Sequence, residues 1–206
     1  MKVIGTVGLP GSGKGEAASV ARETGVPVVT MGDVIRSECR ERGLEPAEHH
    51  GEIATALREE EGPAAIAERS LPLIEVELES SEVVLVDGLR SEHELDRFRE
   101  RFGEEFVLVS VEAPFDLRAE RLSDRGRDDS DVDREALRKR EERELGFGMD
   151  EVMDRADVVV DNTDSLERFR GRIRTLLEED EDEEGSDTGE ADGDEAGVET
   201  EAEGRT

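Results

Sequence analysis

The stretch that most limits the folds open to this chain is Lys2–Gly15, "KVIGTVGLPGSGKG". An apolar, strand-like run, Met1–Val7, feeds directly into a glycine-rich segment that ends at a lysine. Gly8, Gly11 and Gly13 let the backbone take conformations closed to other residues and approach an anion closely. Successive N–H groups of such a loop, with the positive end of a helix beginning near Lys14, would face phosphates. Lys14 would add a point charge at the β- and γ-phosphates. The spacing Gly8-x-x-x-x-Gly13-Lys14, placed between a strand and a helix, is the pattern of a phosphate-binding loop. The expected nucleotide contacts are Gly8, Leu9, Pro10, Gly11, Ser12, Gly13, Lys14 and Gly15.

Such loops usually follow the lysine with a Ser or Thr that holds magnesium, whereas this chain has Gly15 and then Glu16. Two like charges about 4 Å apart cost roughly 1 kcal/mol in water and about 4 kcal/mol at an effective dielectric of 20. Glu16 is therefore expected to turn away, to hold a metal-bound water, or to lower nucleotide affinity.

Short β-branched runs at Pro27–Thr30, Val83–Val86, Phe106–Val111 and Asp157–Val160 follow the first strand. Helical patterns lie between them: Lys14–Glu23, a segment around Asp33 closed by Gly43, Leu44–Glu61, Pro63–Leu78, Ser91–Phe102, Pro114–Ser123, Asp133–Leu145 and Ser165–Leu177. Continuous apolar strands alternating with helices predict an α/β fold: a five-stranded parallel sheet covered on both faces in three layers. Ligands of such sheets bind beyond the carboxyl ends of the strands, where every candidate motif of this chain falls.

The net charge is −30, with 34% hydrophobic and 41% charged residues. Lysine occurs only at positions 2, 14 and 139, so nearly all basic charge is arginine. Residues 179–206 hold 14 acidic residues and one basic residue, which leaves −17 on the first 178. This tail has no apolar periodicity and is expected to be a disordered, solvated appendage to a domain at 1–178. A surface so acidic and so poor in lysine fits multimolar salt, where a Debye length of roughly 3 Å screens its self-repulsion. It also argues against a nucleic-acid-binding face, which would be basic. Cys39 stands alone, no run approaches membrane-spanning length, and no signal-peptide pattern opens the chain, so a cytoplasmic home is expected. His49, His50 and His93 lie in polar stretches without a third ligand at metal spacing and are expected at the surface.

The loop "GLPGSGKGE" resembles that of adenylate kinases and related small-molecule kinases, which commonly run Gly-Lys-Gly-Thr. Gly15 is that family's variant, in which magnesium is held largely through water and nucleotide phosphates; Glu16 is the departure. "TMGDVIR", Thr30–Arg36, is similar to the start of the acceptor-nucleotide helix. The resemblance implies that Arg36 grips an acceptor phosphate and that Asp33 lies near the metal and phosphates. "VVLVDGLR", Val83–Arg90, ends a buried strand in Asp87, which would hold magnesium through water. Arg90 resembles the second acceptor arginine, one residue closer to the glycine than usual. "RAERLSDRGR" carries Arg118, Arg121, Arg125 and Arg127 and looks like a lid entrance over about 118–145. There Arg121 and Arg125 would offset transition-state charge, with Arg138 and Arg143 in reach from the following helix. "RADVVVDNTDSLERF" resembles the end of dephospho-CoA kinases, making Asn162 a base contact or a plain turn residue; "ELGFG" would hinge the lid or end a helix.

The whole is similar to an archaeal group of P-loop proteins akin to these kinases. It implies an ATP- and Mg²⁺-dependent kinase of a nucleotide or other small acceptor, with Lys14, Asp87, Arg121 and Arg125 as catalytic residues. The alternative is a nucleotide-sensing P-loop ATPase with little phosphotransfer, which Glu16 would favour.

Overall fold

The computed structural model describes residues 1–125, 134–146 and 148–178, with the side chains of 124 and 125 excepted. The acidic tail, Arg127 and Phe147 lie outside the described residues. Five strands, β1 (Lys2–Val7), β2 (Val28–Thr30), β3 (Val83–Asp87), β4 (Phe106–Glu112) and β5 (Val158–Asp161), form one parallel sheet in the order β2-β3-β1-β4-β5. The expected five-stranded parallel α/β architecture is thus what the chain adopts.

The described helices are α1 (Lys14–Glu23), α2 (Met31–Glu41), α3 (Pro46–Glu61), α4 (Ala65–Leu78), α5 (Glu92–Phe102), α6 (Phe115–Arg125), α7 (Arg134–Leu145), α8 (Met149–Asp154) and α9 (Leu166–Glu178). Strand pleating sends alternate side chains to opposite faces. Val3, Val7, Val84, Val86 and Leu108 join the core made with α2–α5 and α8, whereas Ile4, Leu85, Val109, Val111 and Val160 join that made with α1 and α9. The two-sided burial explains why the strands read as continuous apolar runs.

Two elements lie beyond what the sequence pattern predicts. A single 3₁₀ turn at Gly103–Glu105 bridges α5 and β4, and α8 is a six-residue helix too short for a periodic signal. It starts after Gly148, at φ 82°, and buries Met149 and Val152. The glycines near 146–148 therefore separate two helices, α7 and α8.

Ser91 caps α5 by accepting a bond from the Glu94 amide at 3.4 Å, and the Glu94 side chain reaches back to the Arg90 amide at 2.9 Å. This variant of the capping box fixes the loop that follows β3. With few aromatics available, three of the six phenylalanines are gathered at one place. Phe98 stacks on Phe106 at 5.6 Å and on Phe102 at 6.5 Å, joining α5 to β4. Phe98→Ala is expected to destabilise the fold by about 3–5 kcal/mol, measured as a lower midpoint in chemical denaturation at fixed KCl.

Candidate functional site

The loop between β1 and α1 is held from three directions by bonds to its carbonyls. The Lys14 ammonium donates to the Gly8 carbonyl and, at 3.3 Å, to that of Leu9. Arg118, 3% exposed on α6, donates to the Pro10 carbonyl at 3.1 Å and to that of Ala113 at 2.9 Å. Asn162, beyond β5, donates from Nδ2 to the Ser12 carbonyl at 2.7 Å. Gly13 has φ 124°, and a Cβ there would collide with the Asn162 amide, so the glycine is needed for the clamp as well as for the turn. With its carbonyls engaged, the loop leaves the N–H groups of Gly13, Lys14 and Gly15 at the start of α1 without intrahelical acceptors.

This arrangement fits a bound phosphate chain. Gly15 faces open space, with no atom within 4 Å of where a Cβ would stand. The Ser12 hydroxyl is buried in the cradle without a partner among the described residues. Glu16, the departure in the motif, points the other way: its carboxylate pairs with Arg170 of α9 at 3.2 Å, and Arg170 also binds Glu23. Of the three expectations for Glu16, turning away is the one realised in this structure.

A cleft of about 500 Å³ opens in front of the loop. One wall is the loop itself; Asp87 forms part of the floor at the end of β3, where the Thr6 hydroxyl from the neighbouring strand donates to it at 3.1 Å. The cleft is also lined by Arg36 of α2, His50 and Arg58 of α3, Arg90 of the β3–α5 loop, and Arg140 and Glu144 of α7. Burial pulls the Lys14 amine down to about 8, opposed by the Asp87 and Glu144 carboxylates and reinforced by Arg90 and Arg140.

Each residue singled out from the sequence has a defined place. Lys14, Asp87, Arg36 and Arg90 share the cleft with Pro10, Gly11, Ser12, Gly13 and Gly15, whereas Leu9 lines a separate depression beyond β4 and β5. Asp33 is not in the cleft wall; 64% exposed, it pairs with Arg36 at 2.6 Å. Arg121 lies behind the loop, donating to the Asn162 carbonyl at 2.8 Å. The Arg125 side chain is outside the described residues.

Three expectations change. Asn162 is neither a plain turn residue nor free to read a base with its amide nitrogen, which the Ser12 carbonyl occupies. Arg138 and Arg143 do not reach the cleft: the first lies over the Phe115 ring at 5.0 Å, and the second donates to the Lys139 carbonyl on its own helix. Helical spacing puts Leu137, Arg140, Glu141 and Glu144 on one face of α7, with the other two arginines off it. His50 lines the cleft and is no surface bystander; His93 is exposed as expected. The signal for Arg140 and Glu144 was their i,i+4 spacing; that for His50 and Arg58 was absent, since only the packing of α3 against α2 turns them inward.

Two outcomes follow from this geometry. Asn162→Ala is expected to cost about 1–3 kcal/mol, because the Ser12 carbonyl loses its partner, and to weaken binding of a fluorescent ATP analogue. Lys14 binds phosphate best when charged, so analogue affinity is expected to fall as pH rises through about 8. Titrations across that range, with Lys14→Ala as the variant that lacks the transition, check it.

A family profile described as "AAA domain" matches residues 7–138. A UPF0200 protein of Halobacterium salinarum is 59% identical over 177 residues, covering 86% of this chain and 93% of that one. A UPF0200 protein of Methanosarcina mazei is 46% identical over 178 residues, covering 86% and 94%. Among solved structures, TT1252 from Thermus thermophilus superposes with a TM-score of 0.58 at 24% identity, covering 85% of this chain and 96% of that one. Shikimate kinase from Bacteroides thetaiotaomicron does so with a TM-score of 0.50 at 19% identity, covering 86% and 98%. Those likenesses carry the fold alone. The phosphate-type loop and the parallel sheet behind it are in keeping with these relatives: the chain belongs to the AAA-domain family and to the UPF0200 proteins of archaea.

Proposed function

We propose that the chain is an ATP- and Mg²⁺-dependent phosphotransferase acting on a nucleotide or another small acceptor. One observation carries the reading: the Lys14 loop shares a single cleft with Arg36, Arg58, Arg90 and Arg140. A slow ATPase needs the loop and Asp87 but has no use for four further cations in the same cleft, whereas transfer between two anionic partners does. Bound ATP with its metal would supply the transferable phosphoryl group. Lys14 and the amides of Gly13 and Gly15 would hold its β- and γ-phosphates, and Asp87 would hold the metal through water. Arg36 and Arg90 would orient the acceptor, and Asp33 would set the resting position of Arg36. Arg125 is proposed to neutralise charge as the phosphoryl group passes, whereas Arg121, which donates to the Asn162 carbonyl behind the loop, is proposed to hold the clamp in place. Catalysis of this kind is positioning and electrostatics, with little covalent work by the protein.

The nucleotide-sensing alternative rested on Glu16, and the Glu16–Arg170 pair removes that support. The reading places the domain at 1–178, with acceptor helices over about 31–80, a short lid over about 118–145, and residues 179–206 as an acidic appendage. It also places the protein in a salty cytoplasm, since −17 of charge remains on the first 178 residues and lysine is nearly absent. No described helix is long and apolar enough to cross a membrane.

The test is ADP release from ATP and Mg²⁺ in multimolar KCl, with nucleoside monophosphates, nucleosides and dephospho-CoA offered singly. One of them is expected to stimulate release, and Lys14→Ala to reduce the stimulated rate by about 100-fold or more. Tight ATP binding with no stimulation by any acceptor would return the nucleotide-sensing reading.

A further inference from the structure

His50 stands where three guanidinium groups converge. It lines the cleft together with Arg36 from α2, Arg58 from its own helix and Arg90 from the β3–α5 loop. Its ring is held against the backbone of Gly32. A Cβ on that glycine would lie 3.3 Å from Arg36 Nη1 and 3.6 Å from His50 Nε2, so both groups cover one small platform.

The carboxylates around this point differ in what they occupy. Glu94 of α5, 1% exposed, takes Arg58 at 2.8 Å and fixes its guanidinium against the cleft wall. Asp33 holds Arg36 from the solvent side, and exposed pairs of that kind are weak and exchangeable. Glu144 of α7 is 3.7 Å from Arg90 and closer to Arg140, at 3.3 Å. On the same helix as His50, His49 is engaged by Glu52 at 2.9 Å. Burial and the fields of Arg90, Arg36 and Arg58 hold the His50 imidazole below its ordinary value, against a smaller opposing pull from the Gly32 backbone. Three cations around a half-buried imidazole form a site an anion would complete. A monoanion balances only part of that charge, whereas a dianion also favours protonating the ring.

We propose that His50 is a fourth ligand of the acceptor, acting with Arg36, Arg58 and Arg90, and that this site selects a dianionic tetrahedral group of the phosphomonoester type and takes up one proton when it binds. The proposal rests on the phosphotransferase reading for what lies opposite the site. Arg58, clamped by Glu94, sets the position of the anion, and His50 makes its capture proton-linked. The proton comes from solvent and stays on the ring while the acceptor is bound.

Sulfate is the probe, because it remains a dianion from about pH 5 to about pH 8 and any pH dependence belongs to the protein. Calorimetric titrations would use the full chain saturated with a non-hydrolysable ATP analogue and Mg²⁺, which closes the loop to sulfate. In the unsubstituted protein sulfate affinity is expected to rise about tenfold from about pH 7.5 to about pH 5.5, with a proton taken up from buffer. His50→Gln should bind sulfate with the high-pH affinity throughout and take up no proton. Arg58→Gln should weaken binding at every pH and keep the slope, which separates loss of a cation from loss of the titrating group. A slope that persists in His50→Gln overturns the proposal and leaves the phosphotransferase reading standing. Failure of the analogue to bind overturns that reading instead. The difference between unsubstituted and His50→Gln protein, titrated without analogue, then decides the His50 site alone. Displacement of sulfate by AMP but not by ribose 5-phosphate would assign the phosphomonoester to a nucleotide, the reverse result to a sugar phosphate, and displacement by neither would overturn the assignment of ligand class.

Discussion

Everything at the site depends on where the carbonyls of one short loop point. A loop that presents N–H groups to phosphates has to turn its oxygens elsewhere, and a buried carbonyl without a donor is costly. Here the oxygens of Gly8, Leu9, Pro10 and Ser12 are taken by Lys14, Arg118 and Asn162. Two of these donors come from distant parts of the chain, beyond β4 and beyond β5, so the loop acquires its shape only when the sheet is assembled. Arg118 in turn is fixed by Glu141 at 2.9 Å, which ties α7 to the same point. The helix that brings Arg140 and Glu144 into the cleft is thereby linked to the loop that would hold the nucleotide.

The second constraint is charge. A chain with a net charge of −30 has to gather a cationic cleft for anionic ligands. It does so by pairing most other arginines on the outside. Glu38 of α2 accepts from Arg42 at 2.6 Å and Arg69 at 2.5 Å, Arg42 also grips Glu60 with both terminal nitrogens, and Arg69 binds Glu61. The two guanidinium bonds hold the Glu38 carboxyl below its ordinary value. Single exposed pairs contribute little. As a connected set they join α2, which carries Arg36, and α3, which carries His50 and Arg58, to α4. These arginines are thus satisfied locally, while in the cleft Arg90 and Arg140 share one more distant carboxylate, Glu144, at 3.7 and 3.3 Å. At multimolar salt the acidic exterior is screened beyond a few ångströms, so the local field of the cleft decides which ligand enters.

Glu16 shows how a motif departure can be absorbed. In a loop read as a string, a carboxylate two residues after the lysine conflicts with phosphate. In the fold, the first turn of α1 presents that position to α9, and Arg170 takes it, together with Glu23 one helical stretch later. The same side chain that raises doubt about nucleotide binding becomes a strut between two helices on the far face of the sheet. That outcome needs an arginine 154 positions downstream, and nothing local to the motif signals it.

The sequence by itself determined the alternation of strands and helices, the parallel sheet, and the loop with Lys14 and Asp87 at neighbouring strand ends. These are local: they follow from apolar runs of fixed period, from glycines where the backbone must turn sharply, and from a carboxylate that ends a buried strand. It did not determine which side of each helix faces the cleft. Arg140 rather than Arg138 or Arg143, His50 rather than His93, and Arg58 clamped by Glu94 were decided by the rotation of α3 and α7 about their axes. That rotation is set by which residues pack against neighbours far away in the chain. Asn162 likewise had two local readings, and only the approach of β5 to the loop made it a clamp. Chemistry carried by backbone spacing is legible along the chain, whereas chemistry carried by side chains meeting across elements exists only after packing has chosen the faces.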